Sequence, residues 1–265
     1  EEVAPCDLSD KQAVDALLAG CDAIVHLGGV SVERPFEEIL EANIKGIFNV
    51  YEAARRHGVK RVVFASSNHV IGFYKQSETL DASVLRRPDG YYGLSKSFGE
   101  DMAQFYFDRY GIETVSIRIG SSFPEPLNRR MLSSWLSYDD LTQLVEKALF
   151  TPGVKHTVVY GASANKSIWW DNHAAAHLGW TPKDNSEAFR AKVEAQPPGD
   201  RGQPASDIRY LAGCGARQPQ KCFRRNVFRV ADVTEHLVGQ VDQIRMVGAP
   251  RFGECCHESR TIRCR

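Results

Sequence analysis

Four short apolar runs constrain the fold of this chain most strongly. They occupy residues 22–29, 61–65, 114–120 and 157–161 and are rich in β-branched residues. Runs of this kind are typical of strands that are buried within a parallel sheet. Segments with helical periodicity separate them, and strands that alternate with helices predict an α/β fold built on a doubly wound parallel sheet.

The segments between these runs predict helices, because their apolar side chains recur at helical spacing. We expect the helices over residues 11–19, 36–54, 94–110, 141–150 and 186–194. Ser9 or Asp10 would cap the first helix. Asn43 falls on the apolar face of the second helix, and a buried Asn requires hydrogen-bond partners. We therefore expect Asn43 to tie down a strand backbone or to orient the active site.

Polar residues follow the second apolar run at the point where its strand would end. Residues 66–69 read Ser-Ser-Asn-His, and Tyr92 and Lys96 come about two dozen residues later. The carboxyl ends of strands are where open α/β sheets bind ligands. Tyr92 and Lys96 are one helical turn apart, and an ammonium beside a phenol favours the phenolate. With Ser67, they predict a site that removes a hydroxyl proton, although a surface lysine beside a packing tyrosine fits the same spacing.

Gly28 and Gly29 end the first apolar run. Glycines at a strand end let the phosphates or ribose of a cofactor approach the backbone closely. A tight turn that binds no ligand explains two glycines comparably well.

Composition narrows the partners and the compartment. The formal net charge is zero, which gives no reason to expect a nucleic acid or an acidic membrane as partner. No run of eighteen apolar residues occurs, and no signal peptide is visible. Cys6 and Cys21 are typical of isolated thiols in a reduced compartment, so we expect a cytoplasmic protein. The cysteine and histidine spacings do not indicate a metal site.

Residues 201–265 differ from the rest of the chain. They contain eleven Arg and one Lys against six acidic residues, and they hold five of the seven cysteines. The periodic pattern fades after residues 197–199. We therefore predict one domain over residues 1–199 and an irregular tail over residues 200–265 that lies outside the fold and resembles out-of-frame translation.

Several runs together resemble the uronate dehydrogenases, which belong to the extended short-chain dehydrogenases related to sugar-nucleotide epimerases and dehydratases. The matching runs are residues 26–31, 64–69, 92–96, 118–121, 124–126, 130–133 and 161–165. The resemblance extends to about residue 199 and implies a Rossmann-like fold that binds NAD.

The resemblance also implies roles for individual residues. Tyr92 would be the base, Lys96 its electrostatic partner and a ribose ligand, and Arg130 the bidentate ligand of a substrate carboxylate. Sugar hydroxyls would meet Ser31, Ser67, Asn68, His69 and Ser121. Asp7 and Leu8 would flank the adenine, while Leu27, Gly28, Gly29 and Ile119 would line the NAD track.

The implied reaction oxidises a hexuronate, such as glucuronate or galacturonate, at its anomeric carbon. Tyr92 would take the anomeric hydroxyl proton while the carbon gives its hydride to nicotinamide. The products would be an aldarolactone and NADH, and the expected partner is a small sugar acid. The resemblance leaves open whether the chain forms a homo-oligomer.

The chain departs from this family at its beginning. It lacks the first strand, the Gly-x-x-Gly-x-x-Gly loop and the helix that would hold the pyrophosphate. We expect this loss to impair activity and to leave the strand at residues 23–27 without one neighbour. Two alternatives therefore stay open: a sugar-nucleotide epimerase or dehydratase, and an inactive dehydrogenase fragment.

Overall fold

Helices and strands alternate along the chain, of which a computed structural model describes residues 5–196 and the backbone of residues 227–230. The α-helices are α1 Lys11–Leu18, α2 Phe36–Ile39, α3 Gly46–His57, α4 Tyr91–Tyr110, α5 Met131–Ser134, α6 Tyr138–Phe150 and α7 Arg190–Glu194. The strands are β1 Ala23–His26, β2 Arg61–Ser67, β3 Glu113–Ile119, β4 Ser121–Ser122, β5 Trp135–Leu136, β6 His156–Gly161 and β7 Val227–Val230. Leu40–Lys45 form a π-helix, and Asn68–Ile71, His173–Leu178 and Ser186–Phe189 form 3₁₀-helices.

Five strands form the main sheet, in the order β6-β3-β2-β1-β7. The strands β1, β2, β3 and β6 are parallel to one another, which confirms the predicted parallel sheet. The register between β2 and β3 runs from Arg61 opposite Glu113 to Ser67 opposite Ile119. The carboxyl ends of these two strands therefore meet at the same edge of the sheet.

Strand β7 pairs with the remaining edge of β1, where the sequence predicts a missing neighbour. The two strands are antiparallel, with Ala23 opposite Val230 and His26 opposite Val227. An unpaired row of backbone groups offers hydrogen bonds to any added strand, and the sequence Val-Phe-Arg-Val favours an extended backbone. These four residues are thus an exception to the prediction that the tail lies outside the fold. The domain boundary at residue 199 stays a prediction, because the other tail residues lie outside the described part of the chain.

Helices cover both faces of the sheet, as the doubly wound fold requires. Side chains of β1 and β2 point alternately to opposite faces. On one face, Ile24, Val62 and Phe64 pack with buried residues of α1, α3 and α4. On the other face, Val25 and Val63 pack with buried residues of α6. Within the described residues, no helix is long and apolar enough to cross a membrane.

Two of the predicted helices differ in detail from the structure. The single helix expected over residues 36–54 is divided into α2, the π-helix and α3. A π-helix widens the backbone locally, and this one contains Asn43, whose side chain bonds to the backbone of Val30. The helix expected over residues 186–194 is a 3₁₀-helix followed by α7. The predicted cap of α1 is Asp10, which accepts hydrogen bonds from two backbone amides.

Candidate active site

The structure brings Ser67, Tyr92 and Lys96 together beyond the end of β2. Ser67 is the last residue of β2, and its side chain hydrogen-bonds with that of Tyr92 in the first turn of α4. Lys96 lies one turn later on α4, and its Nζ donates to the carbonyl oxygen of Ala65 at 2.8 Å. All three side chains are at least nine-tenths buried. This arrangement matches the predicted convergence at the carboxyl edge of the sheet.

The pKa values of Tyr92 and Lys96 reflect their burial. Burial raises the pKa of Tyr92 to about 12, although the hydrogen bond from Ser67 opposes this rise. Burial also lowers the pKa of Lys96 to about 8. The Lys96 ammonium lies 5.7 Å from the centre of the Tyr92 ring. Burial is thus the largest influence on the Tyr92 phenol, and the role of Lys96 as its electrostatic partner stays a prediction.

Asn68 and His69 begin the 3₁₀-helix that follows β2. Asn68 is 3% exposed, and its buried Nδ2 has no hydrogen-bond partner among the described residues. Buried amide groups are normally paired, so this donor suits a ligand oxygen. The His69 ring lies edge-on to the Tyr92 ring, with 5.4 Å between their centres. Its Nδ1 is 2.9 Å from Oδ1 of Asp89, a residue that the sequence analysis missed.

The loop after β1 holds the beginning of α4. The carboxylate of Glu33 accepts hydrogen bonds from the backbone amides of Tyr91 at 2.9 Å and Tyr92 at 3.0 Å. A negative charge at a helix N-terminus is stabilised by the helix dipole. Sequence periodicity missed this cap and placed the start of α4 three residues too late. Ser31 is an exposed residue of the same loop.

Asn43 joins the end of β1 to α4. Its Oδ1 accepts from the backbone amide of Val30 at 2.7 Å, and its Nδ2 donates to the carbonyl of Val30 at 3.0 Å and to Ser95 Oγ at 2.9 Å. Gly29 has a φ of 115°, and a Cβ there would lie 2.6 Å from Asn43 Oδ1. Asn43 thus bonds to a loop backbone rather than to the strand backbone that we expected, and its contact with Val30 requires a glycine at position 29.

Ser121 and Arg130 meet beyond the end of β3. Nη2 of Arg130 lies 3.3 Å from Ser121 Oγ, and Nη1 lies 3.4 Å from Ser134 Oγ. The two serine hydroxyls are 3.1 Å apart and buried. They orient a guanidinium, whose planar shape suits a carboxylate. The structure thus places Arg130 at the edge of the sheet where β3 ends.

The residues predicted for the cofactor divide into two regions. Leu27, Gly28 and Gly29 lie at the carboxyl end of β1, and Ile119 lies at that of β3. The side chains of Leu27 and Ile119 are half-buried. Asp7 and Leu8 precede α1. The Asp7 carboxylate accepts hydrogen bonds from Ser9, and the Leu8 side chain is buried in the core, so only the backbone of Leu8 remains for an adenine.

The described residues fit the nicotinamide and ribose half of NAD. Tyr92 and Lys96 present polar groups at this edge of the sheet, whereas the missing Cβ of Gly29 makes room for Asn43. The N-terminus of α1 does not serve the pyrophosphate, because Asp10 accepts from its free amides. In the part of the chain that the structure describes, no group of three or more His, Cys, Asp or Glu side chains is placed to hold a metal ion.

A parallel sheet with Ser, Tyr and Lys side chains at the carboxyl end of its strands defines a Rossmann-like protein of the short-chain dehydrogenase class. Sequence comparison refines this class. The NAD dependent epimerase/dehydratase family matches residues 2–137. The chain belongs to this family and, within it, to the uronate dehydrogenases.

Three relatives support this assignment. A uronate dehydrogenase of Pseudomonas syringae pv. tomato is 75% identical over 74% of this chain and 72% of that protein. The uronate dehydrogenase of Agrobacterium fabrum is 58% identical over 75% of this chain and 76% of that protein. A crystal structure of a uronate dehydrogenase mutant from Agrobacterium tumefaciens complexed with NAD has a TM-score of 0.75 and 53% identity, over 80% of this chain and 82% of that chain.

Proposed function

We propose that this chain oxidises hexuronates such as glucuronate and galacturonate at the anomeric carbon to aldarolactones, with NAD as the oxidant. The observation that carries the proposal is the placement of two different groups at one edge of the sheet. Ser67 and Tyr92 form a hydroxyl pair beyond β2, and Arg130 is held by Ser121 beyond β3. A sugar acid offers a hydroxyl to the first group and a carboxylate to the second.

Tyr92 accepts the proton of the anomeric hydroxyl. The hydrogen bond from Ser67 stabilises the phenolate, and the Lys96 ammonium, fixed by the carbonyl of Ala65, supplies a positive charge nearby. NAD, when bound, supplies the hydride acceptor. Because burial raises the pKa of Tyr92 to about 12, we expect the free chain to work faster as pH increases.

The substrate is oriented by side chains around this pair. Arg130 binds the carboxylate through its guanidinium, which Ser121 and Ser134 hold in place. Asn68 and His69 bind ring hydroxyls, and the unpaired Nδ2 of Asn68 supports this role. Ser31 would contact the sugar from the loop after β1. Discrimination against neutral sugars follows from Arg130, because only the acid offers it a charged partner.

The proposal also includes the compartment of the enzyme and one alternative enzyme class. Cys6 and Cys21 are buried in the hydrophobic core, where a reduced thiol packs like a small apolar side chain, and this supports a reducing compartment such as the cytoplasm. The sugar-nucleotide epimerases and dehydratases, with a similar Tyr and Lys pair, are the second candidate class. Net NADH formation from a free uronate distinguishes the dehydrogenase from the epimerases and dehydratases, because those enzymes return the hydride to the sugar.

The test measures initial NADH formation with glucuronate and galacturonate, and with the matching neutral hexoses. Tyr92→Phe should lower turnover by about 10²-fold or more, since it removes the general base. Arg130→Ala should raise KM for the uronates and leave the neutral hexoses unaffected. Arg129→Ala is the matched control, because Arg129 donates to the backbone of Glu194 away from the site. A wild-type enzyme that treats acid and neutral sugars alike contradicts the uronate assignment.

A further inference from the structure

Asp89 is a buried carboxylate that neither the sequence pattern nor the predicted mechanism uses. Its side chain is 8% exposed and lies directly against the ring of His69. Oδ1 and Oδ2 of Asp89 are 2.9 and 3.1 Å from Nδ1 of His69. Both oxygens therefore face the same ring nitrogen, which makes Asp89 the fixed partner of this histidine.

The chemistry of the carboxylate determines which nitrogen carries the proton. An ionised carboxylate accepts hydrogen bonds and does not donate them, so Nδ1 of His69 must be the donor. In a neutral imidazole the other nitrogen, Nε2, is then an acceptor. The His69 side chain is 31% exposed, and its described hydrogen bonds are made through Nδ1. Nε2 is consequently the nitrogen that is left for a ligand.

The surroundings hold this pair beside the reacting group. The backbone amide of His69 donates to Ser67 Oγ at 3.2 Å, and the His69 ring lies edge-on to Tyr92. Gly72 leaves room for the carboxylate, because a Cβ there would lie 2.3 Å from Cγ of Asp89. The histidine, its partner and the proposed base are thus packed as one unit.

We propose that Asp89 is a positioning residue that holds His69 in the Nδ1–H tautomer, so that Nε2 accepts a hydrogen bond from a hydroxyl of the substrate sugar. This inference rests on the proposed function, since it requires a sugar at the site. It also defines the specificity of the position: the substrate group facing His69 must be a hydrogen-bond donor. A group that only accepts hydrogen bonds would meet a nitrogen lone pair and bind less tightly.

The first experiment measures the tautomer in the free protein. Long-range ¹⁵N–¹H spectra of histidine-labelled protein show which ring nitrogen of His69 is protonated, and His69→Gln assigns the signal. We expect Nδ1–H alone in the wild type. Asp89→Asn should give a mixture, because a neutral amide can either accept from Nδ1 or donate to it. Protonation of Nε2 in the neutral wild-type ring overturns the proposal.

A second variant displaces the carboxylate without removing it. Gly72→Ala places a methyl group against Asp89, and φ of Gly72 is −63°, so its backbone accepts alanine. This variant should show the same mixture of tautomers as Asp89→Asn. Asp108→Asn is the control, since Asp108 is exposed near the end of α4 and its loss removes one negative charge elsewhere. Unchanged spectra in both site variants refute the role of Asp89.

Kinetics with glucuronate and galacturonate then distinguish a positioning role of Asp89 from a general loss of structure at the site. The hydrogen bond from a sugar hydroxyl to a neutral imidazole is worth roughly two- to ten-fold in affinity, and we expect KM to rise by up to that factor in Asp89→Asn. The turnover number should not fall, because the charge of Asp89 raises the pKa of Tyr92 and its removal favours the phenolate. A fall in turnover with unchanged KM contradicts the proposal. If the wild type oxidises no uronate, the proposed function fails, while the spectra still decide the tautomer.

Discussion

Glu100→Gln should be among the most destabilising single substitutions in this domain. Glu100 is fully buried on α4 and accepts hydrogen bonds from Arg118 at 2.9 and 2.8 Å, from Arg86 at 3.1 Å and from Ser66 at 2.7 Å. Burial alone would raise the pKa of Glu100, but Arg118, Ser66 and Arg86 together hold it below its usual value. The carboxylate is therefore charged at neutral pH and neutralises a buried guanidinium.

The magnitude follows from the charge that the substitution leaves behind. Gln retains the size of the side chain and the hydrogen bond from Ser66, while the Arg118 side chain, only 2% exposed, loses its countercharge. Removal of one partner from a buried ion pair costs about 3–5 kcal/mol. With a slope of about 2 kcal/mol per molar urea, the unfolding midpoint should fall by roughly 1.5–2.5 M.

A double-mutant cycle in urea tests this reasoning. Arg118→Met removes the other charge, so Glu100→Gln combined with Arg118→Met should lose clearly less stability than the sum of the two single variants. Glu187→Gln is the control, because Glu187 pairs with Arg190 at the surface and such pairs contribute about 0–1 kcal/mol. A loss below about 1 kcal/mol for Glu100→Gln, or additive effects in the cycle, would refute a countercharge role.

Two further predictions concern β1. Gly29→Ala should cost about 1–3 kcal/mol of backbone strain and should also displace Asn43. Gly58→Ala should cost strain alone, because φ of Gly58 is 74° and nothing lies within 4 Å of the added Cβ. The urea concentrations at the unfolding midpoints of the two variants measure this difference. Burial, followed by the charge of Lys96, lowers the pKa of His26 to about 3. The unfolded state therefore binds more protons below pH 6.5, so stability should fall by roughly 4 kcal/mol as pH decreases towards 3, and His26→Phe should remove this dependence.

The parallel sheet was predictable because its signal is local. Each apolar run forms one strand, and β2 and β3 are parallel and adjacent in the sheet. Ser67 comes directly after such a run, and Tyr92 and Lys96 share one face of a helix. These residues meet because the topology brings the carboxyl ends of parallel strands to one edge. The sequence therefore predicts the centre of the candidate site by simple geometry.

The partners of the central residues were not predictable in the same way. Glu33 caps a helix that begins 58 residues later, and Asp89 contacts a histidine 20 residues before it. Neither contact produces a periodic pattern, and both side chains are ordinary surface types in the sequence. The pairing of β7 with β1 joins residues about two hundred positions apart, and the strand propensity of four residues does not specify their partner strand.

The protonation of Tyr92 shows why a correct contact does not suffice for a correct charge. Sequence spacing predicts that Lys96 lies near Tyr92, and the structure agrees. The effect of Lys96 on the phenol depends on the medium between them and on how far both side chains are removed from water. Helix α4 packs onto the sheet and buries both groups, so the pKa of the phenol rises and that of the ammonium falls. Among the described residues, Ser67 lowers the pKa of the phenol through a hydrogen bond, while the Lys96 ammonium lies 5.7 Å from the centre of the ring.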